Sequence, residues 1–156
     1  MRKTRVTVLT GGDTAERYAS FLSSQAIEEG LRRAGYEAHS IIEDANDDWL
    51  NNLQNPDAVF IALHGKDGGL GAVQGILREE KIAYTGSDIL PTALAANKSL
   101  TAELFRSYGI QTPQFTEVSK GDFKNLVLDP DLPAIIKPID RGLSLGVSLI
   151  RELEEA

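Results

Sequence analysis

Cysteine is absent from this chain, and with it go disulfides, zinc–thiolate sites and thiol nucleophiles. Histidine is scarce: only His39 and His64 occur, too few for a histidine-rich metal site. Long apolar runs are missing as well. Behind the basic start Arg2-Lys3-Thr4-Arg5, the stretch Val6 to Leu9 is interrupted by Thr7. It stops at Gly11-Gly12, too short for a signal-peptide core or a membrane span. Positive charge is in the minority, with 16 Lys and Arg against 23 Asp and Glu and a formal net charge of −7. Such a chain repels polyphosphate backbones at long range. Nucleic acid is therefore not expected as a partner, whereas a local basic site for one nucleotide stays open. These absences together point to a soluble cytoplasmic protein with no membrane partner.

What is present suits an α/β chain. Its 156 residues fit one domain, or one domain and part of a second, and suffice to bury a core without staples. Arg5 to Thr10 reads as a β-branched strand broken by Gly11-Gly12. A long helix is predicted from Asp13, with Ala15, Ala19, Leu22, Ala26 and Leu31 near helical spacing on its inner face. Asp13 and Glu16 have capping-box spacing, and Gly35 is a natural stop. Glu37 to Ile42 reads as a second strand. A short helix is expected over residues 47–53, with Trp49, Leu50 and Leu53 inward. Ala58 to Leu63 is a continuous apolar run, as in a strand buried on both faces of a parallel sheet. A glycine-rich loop, a helix over 72–80, a short strand over 81–85 and helices over 88–96 and 98–108 follow. Strands alternating with helices argue for an open parallel, Rossmann-like sheet with right-handed crossovers.

After Ile110 the pattern changes. Gln111-Thr112-Pro113 reads as a connector, Phe115 to Val118 and Pro133 to Pro138 as strands, residues 122–126 as a helix, and Leu149 onward as a strand end with a helix start over 152–156. The expected division is a substrate-side α/β domain over 1–110 and the beginning of an α+β subdomain over 111–156. The second has too few elements to cover its own faces, so a truncated subdomain is expected.

Four places could carry chemistry. Glu16 follows Gly11-Gly12 where a strand meets a helix, and helix N-termini at strand ends offer free N–H groups to a ligand. On position alone it reads as a capping residue of its own helix. His64, with Gly65, ends the buried strand at the same sheet edge. It suits either a loop hydrogen bond or, with Glu16, a polar patch for an ammonium or carboxylate group. Lys137 follows Ala134-Ile135-Ile136; an ammonium within an apolar strand must reach water or an anion. Gly142, Ser144 and Gly146 form a loop just beyond it, able to fold N–H groups over phosphates. Lys98, after the credible N-cap Asn97, reads from spacing alone as a solvated first-turn lysine.

In order, these pieces resemble the motifs of D-alanine–D-alanine ligases, members of the ATP-grasp superfamily. Gly11-Gly12 with Thr14-Ala15-Glu16-Arg17 and Ser20 resembles the first motif, and Ala62-Leu63-His64-Gly65 with Val73-Gln74-Gly75 the second. Tyr84-Thr85-Gly86-Ser87 with Asn97-Lys98 resembles the third. Ile136-Lys137-Pro138 with Gly142, Ser144 and Gly146 resembles the fourth. The match runs from residue 5 to about 150 and implies a pre-ATP-grasp domain followed by an incomplete ATP-grasp subdomain. That family joins two D-alanines with ATP and Mg²⁺ through an acyl phosphate, for peptidoglycan precursor synthesis in the cytoplasm. The resemblance implies that Glu16 holds the first amino acid's ammonium group and that His64 lies near the reacting carboxylate. Ser144 joins them at the catalytic site and, with Gly142 and Gly146, closes over ATP phosphates contacted by Lys98 and Lys137. No metal ligand is expected within this chain; the Mg²⁺ carboxylates belong to the family's C-terminal half, and this portion alone is expected to be inactive. A family-like homodimer through helices on the far face of the sheet stays open. Leu143 stands where the family usually has a serine, Leu70 falls within its altered Gly-Glu-Asp-Gly, Asn97 replaces an aspartate and Tyr18-Ala19 a Glu-Val pair. Two alternatives therefore stand beside the ligase: an ATP-grasp ligase for another amino or hydroxy acid, and a non-catalytic α/β binding module.

Overall fold

The computed structural model describes residues 2–12, 15–44, 48–65, 68, 70–119, 121 and 132–152. By contact the chain divides into two compact units, Met1–Ala96 and Asn97–Ala156. The boundary drawn from composition, at 110/111, lies later along the chain.

In the first unit β1 (Arg5–Gly11) is the middle strand of a parallel sheet, between β2 (Glu37–Glu43) and β3 (Ala58–Ile61). Arg5 stands opposite Glu37 and Gly11 opposite Glu43, while Val6 faces Ala58 and Leu9 faces Ile61. Val6 to Gly11 are all buried, as a central strand covered on both faces requires. The core gathers Leu9, Val59, Leu63, Val73 and Leu77 with Trp49 and Leu53. The helix expected over 47–53 is a single 3₁₀ turn, Asn51–Leu53. It stops because Gln54 and Asn55 both adopt positive φ, which no right-handed helix continues through; residues 45–47 lie outside the described set.

α1 (Arg17–Arg33) packs over β1 and β2. It begins later than the capping-box reading placed it: Glu16 is itself the N-cap residue and makes no side-chain cap bond, and Asp13 lies outside the described residues. Its end matches expectation. Tyr36 N–H donates to Leu31 O and Gly35 N–H to Arg32 O, with Gly35 at φ +92°, a Schellman motif. The inner face differs. Glu16, Ser20 and Ser24 are buried, whereas Leu22 is 51% exposed and Ala15 and Ala26 are exposed.

α2 (Ala72–Glu79) turns Val73 and Leu77 into the core. The strand expected over 81–85 is reduced to one parallel bridge, Val59 to Tyr84. The ladder ends there because Ile61 N–H donates to the Thr85 hydroxyl oxygen at 3.1 Å, a side-chain acceptor in place of a carbonyl. α3 (Ile89–Ala96) is led by Asp88, whose carboxylate accepts Ile89 N–H at 2.8 Å.

In the second unit α4 (Lys98–Ser107) starts at Asn97, whose side-chain oxygen accepts Leu100 N–H at 3.0 Å. Gly109 closes it with a second Schellman pair, Ile110 N–H to Phe105 O and Gly109 N–H to Arg106 O. β4 (Ala134–Ile136) and β5 (Ser148–Ile150) pair antiparallel. Phe115 to Val118 is not a strand. No ladder partner meets it among the described residues, and Arg106 instead holds this stretch, donating to Pro113 O at 2.6 Å and lying 4.7 Å over the Phe115 ring. The helix expected over 122–126 and the tail from 153 onward lie outside the described residues. No helix among the described residues is long and apolar enough to cross a membrane.

Candidate functional site

The strand order β2-β1-β3 reverses its winding between β1 and β3. At such a switch point the crossover connections leave in opposite directions, opening a crevice beyond the carboxyl ends of the two strands. Gly11-Gly12 ends β1 and His64-Gly65 follows β3, so both candidate segments of the first unit reach this one place.

Gly11 is required by geometry. At φ +104° it lets β1 run so close to β2 that a Cβ would lie 2.5 Å from Glu43 O. Gly12 N–H then donates to the same carbonyl at 2.8 Å. Arg17 steadies the turn, donating to Gly12 O at 2.7 Å and reaching Asp44 at 3.3 Å, with its guanidinium 5.3 Å from the Phe21 ring.

From this turn α1 sends a polar seam inward. Glu16 is 4% exposed and Ser20 fully buried, one helical turn apart on the same face. His64 docks on that seam. Its backbone N–H donates to Ser20 Oγ at 3.0 Å, and its ring Nε2 lies 2.9 Å from Ser23 Oγ. Glu16 and His64 thus gather at one end of α1, each half or more buried. A buried carboxylate on the helix whose serines hold an imidazole can receive an ammonium group, and the imidazole can steer a carboxylate. Ser23 was missed in the sequence. The clue available was its place one turn after Ser20, but a serine mid-helix carries no signal of its own.

The glycine loop behind His64 is held close. A Cβ at Gly68 would lie 2.3 Å from Leu63 O, and Gln74 on α2 donates its side-chain N–H to Gly68 O at 3.1 Å.

The remaining candidates fall in the second unit. Lys98 lies in the first turn of α4, yet it is not simply solvated. Its ammonium donates to Ile139 O at 3.2 Å and to Arg141 O, the residues leading into the Gly142–Gly146 loop. Lys137 lies just past β4 and is exposed. The desolvation cost argued from an apolar strand therefore does not arise, because β4 ends one residue before it. The loop itself is a tight turn in which Leu145 N–H donates to Gly142 O at 3.0 Å. Leu143 and Ser144 both take positive φ, 50° and 60°, a conformation that costs non-glycine residues about 1 kcal/mol or more each. Gly146, at φ +71°, packs where a Cβ would meet the Pro138 ring at 2.9 Å. The ammonium of Lys98 and this loop form a cationic, N–H-bearing group of the kind that suits phosphate oxygens. Among the described residues no cluster of three or more His, Asp or Glu side chains could hold a metal ion.

Comparison with known proteins places this geometry among relatives. The chain is 39% identical over 152 residues to the D-alanine–D-alanine ligase of Aquifex aeolicus, an alignment covering 97% of this chain and 52% of that one. Crystal structures of the D-alanine–D-alanine ligase of Bacillus anthracis superpose with a TM-score of 0.76 at 27% identity, and 0.73 at 26% for its complex with ATP. The Helicobacter pylori ligase shares the fold, with a TM-score of 0.80 at 23% identity. No protein-family model matches the chain. The chain spans about half the length of the curated relatives it matches. The likeness read from the four motifs is thus matched by relatives of that name, and the expected parallel α/β sheet by their structures.

Proposed function

We propose that this chain, similar over nearly its whole length to D-alanine–D-alanine ligases, is the substrate-side amino-terminal part of such a ligase. Its reaction is the ATP-dependent joining of two small amino acids in the bacterial cytoplasm, towards peptidoglycan precursors. The observation that carries the reading is the docking of His64 on Ser20 and Ser23 at the sheet's switch point, with the buried Glu16 one helical turn before Ser20 on the same helix.

Glu16 receives the ammonium of the first amino acid, a charge-assisted bond strengthened by its burial. His64 stands against the carboxylate of that substrate and orients it. ATP, when bound, supplies the phosphoryl group that activates the carboxylate as an acyl phosphate. Lys98 and Lys137 hold its phosphates, and the Gly142–Gly146 loop with Ser144 lays N–H and hydroxyl donors over them while keeping water out. Developing negative charge on transferring phosphoryl oxygens needs these donors in place beforehand. Among the described residues no His, Asp or Glu cluster suits a magnesium ion, and its carboxylate ligands would come from the C-terminal half of the ligase.

Leu143 favours a second reading within the same chemistry. It offers no hydroxyl beside Ser144, which suits a ligase for a different amino or hydroxy acid.

Calorimetric titration of the chain with ATP–Mg²⁺, beside a Lys137→Ala variant, tests the nucleotide half. Loss of one charge-assisted bond of about 1.5–3 kcal/mol weakens binding roughly tenfold to a hundredfold. A parent chain that ignores millimolar ATP would remove the nucleotide role from this part of the molecule. Equal affinity of parent and variant would remove it from Lys137.

A further inference from the structure

We propose that Ser23 is a positioning residue that locks the His64 ring in one orientation and in the tautomer carrying its hydrogen on Nδ1. The contact is direct: Ser23 Oγ lies 2.9 Å from His64 Nε2, a good O–H···N distance. It joins two elements far apart in sequence, the second turn of α1 and the end of β3, at the switch point. His64 is fixed twice there, its backbone by Ser20 and its ring by Ser23.

The direction of the Ser23 bond follows from where hydrogens can go. Either the hydroxyl donates to a bare Nε2, or an Nε2–H donates to the hydroxyl oxygen. In the second case the hydroxyl must send its own hydrogen elsewhere. Its neighbour Ser24 takes the local route, donating to Phe21 O at 2.9 Å. Ser23 has no such bond among the described residues. A half-buried hydroxyl hydrogen left unpaired is costly, so the hydroxyl donates, Nε2 accepts and Nδ1 carries the hydrogen. The partner of one ring nitrogen thereby sets the state of the other.

The consequence for chemistry rests on the reading of His64 as facing the substrate carboxylate. With Nε2 occupied, the ring keeps an N–H donor at Nδ1 to offer a carboxylate oxygen. The opposite tautomer would present a lone pair there and repel it.

The test needs neither substrate nor turnover. Imidazole ¹⁵N spectra of the full chain, recorded at alkaline pH, separate a protonated nitrogen from a bare one. The parent should show His64 as one tautomer with Nδ1 protonated and Nε2 pyridine-like. Ser23→Ala should move His64 to a majority of Nε2–H, the form that free imidazole side chains favour in water. Ser23→Thr, which keeps the hydroxyl, should restore the parent pattern, and Ser20→Ala should leave the ring signals in place. His39 is the internal control. Amide spectra establish that each variant is folded. An Nε2–H form in the parent, or unchanged His64 ring signals in a folded Ser23→Ala, overturns the proposal. Either result leaves the ligase reading to stand or fall on the ATP titration.

Discussion

Three glycines separate backbone strain from steric contact within one chain, and Gly11 is the informative member. Replacing Gly11 with alanine asks an L-residue to hold φ +104° and places a Cβ 2.5 Å from Glu43 O and 3.0 Å from Ile42 Cγ2. The strained φ costs about 1–3 kcal/mol. The carbonyl contact is backbone, in a paired strand, so β2 must shift. Glu43 O also accepts Gly12 N–H, and weakening that bond adds about 1 kcal/mol. Lower unfolded-state entropy returns about 0.4–1 kcal/mol. Together these terms amount to a net loss of about 1–4 kcal/mol, to which the displacement of β2 adds. Gly35→Ala shares the positive φ, +92°, but its Cβ would meet nothing within 4 Å, so only strain remains, about 1 kcal/mol. Gly30, in the last turn of α1 with open space around it, should gain about 0.5–1 kcal/mol as alanine. Urea unfolding followed through Trp49, the single tryptophan and part of the first unit's core, reports all three. With a slope of about 1–2 kcal/mol per molar, Gly11→Ala should unfold roughly 1–2 M earlier than Gly35→Ala. Equal midpoints for those two variants would refute the close approach of β1 and β2 at the candidate site.

Four further outcomes are expected. Ser20→Ala strands the His64 backbone N–H and should cost about 1–3 kcal/mol. Ser24→Ala, equally buried but bonded only to Phe21 O, should be near neutral on the same urea assay. Lys81 occupies the position after α2 at φ +57°, with Ile82 N–H donating to Leu77 O, so Lys81→Gly should stabilise by about 0.5–1 kcal/mol in thermal melts. Asp57 sits below its ordinary carboxylate range, first because Arg5 N–H donates to it and then through the charges of Arg2 and Arg5. Its depressed folded value means that its stabilisation is present above the usual 3.8 and is lost as pH falls through the lower folded value. Acid titration of Asp57→Asn, followed by Trp49 fluorescence, should therefore lack part of the parent's loss of stability below that pH.

Local chemistry made much of the fold legible. Gly35 and Gly109 end helices where their lack of a Cβ demands it, whereas the run from Ala58 forms a shorter strand than expected, ending at Ile61 with only Val59 buried within it and Ala62 and Leu63 buried just beyond. Legibility failed where tertiary contact decided the outcome. Alanine and leucine spacing placed the inner face of α1 on Leu22, yet the helix is rotated so that Ser20 and Ser24 face the sheet. Small hydroxyls read as neutral in a hydrophobic pattern, and only the partner they meet, the N–H of His64 for Ser20, explains the phase. The strand over 81–85 faded for a similar reason, since one threonine hydroxyl replaced a ladder carbonyl. Of the site, the glycines and the strand-end positions of Glu16 and His64 followed from sequence. The hydrogen bonds of Lys98 to Ile139 and Arg141 did not, because they join segments some forty residues apart.

The rotation of α1 is itself an argument about function. A helix packed on a parallel sheet gains about 1.5–3 kcal/mol for each large apolar side chain it buries. At Glu16, Ser20 and Ser24 this one forgoes that gain and leaves Leu22 outward. The first unit can bear the loss because Leu9, Val59, Leu63, Val73 and Leu77 form a separate cluster with Trp49 and Leu53. Polar groups buried at that cost are retained where they hold something else in place. Here the hydroxyls of Ser20 and Ser23 hold the backbone and ring of one histidine, at the sheet edge where topology alone opens a crevice. Local rules fail at this helix face and at the Leu143–Ser144 turn, and sites of that kind are where consistent folds depart from their own pattern.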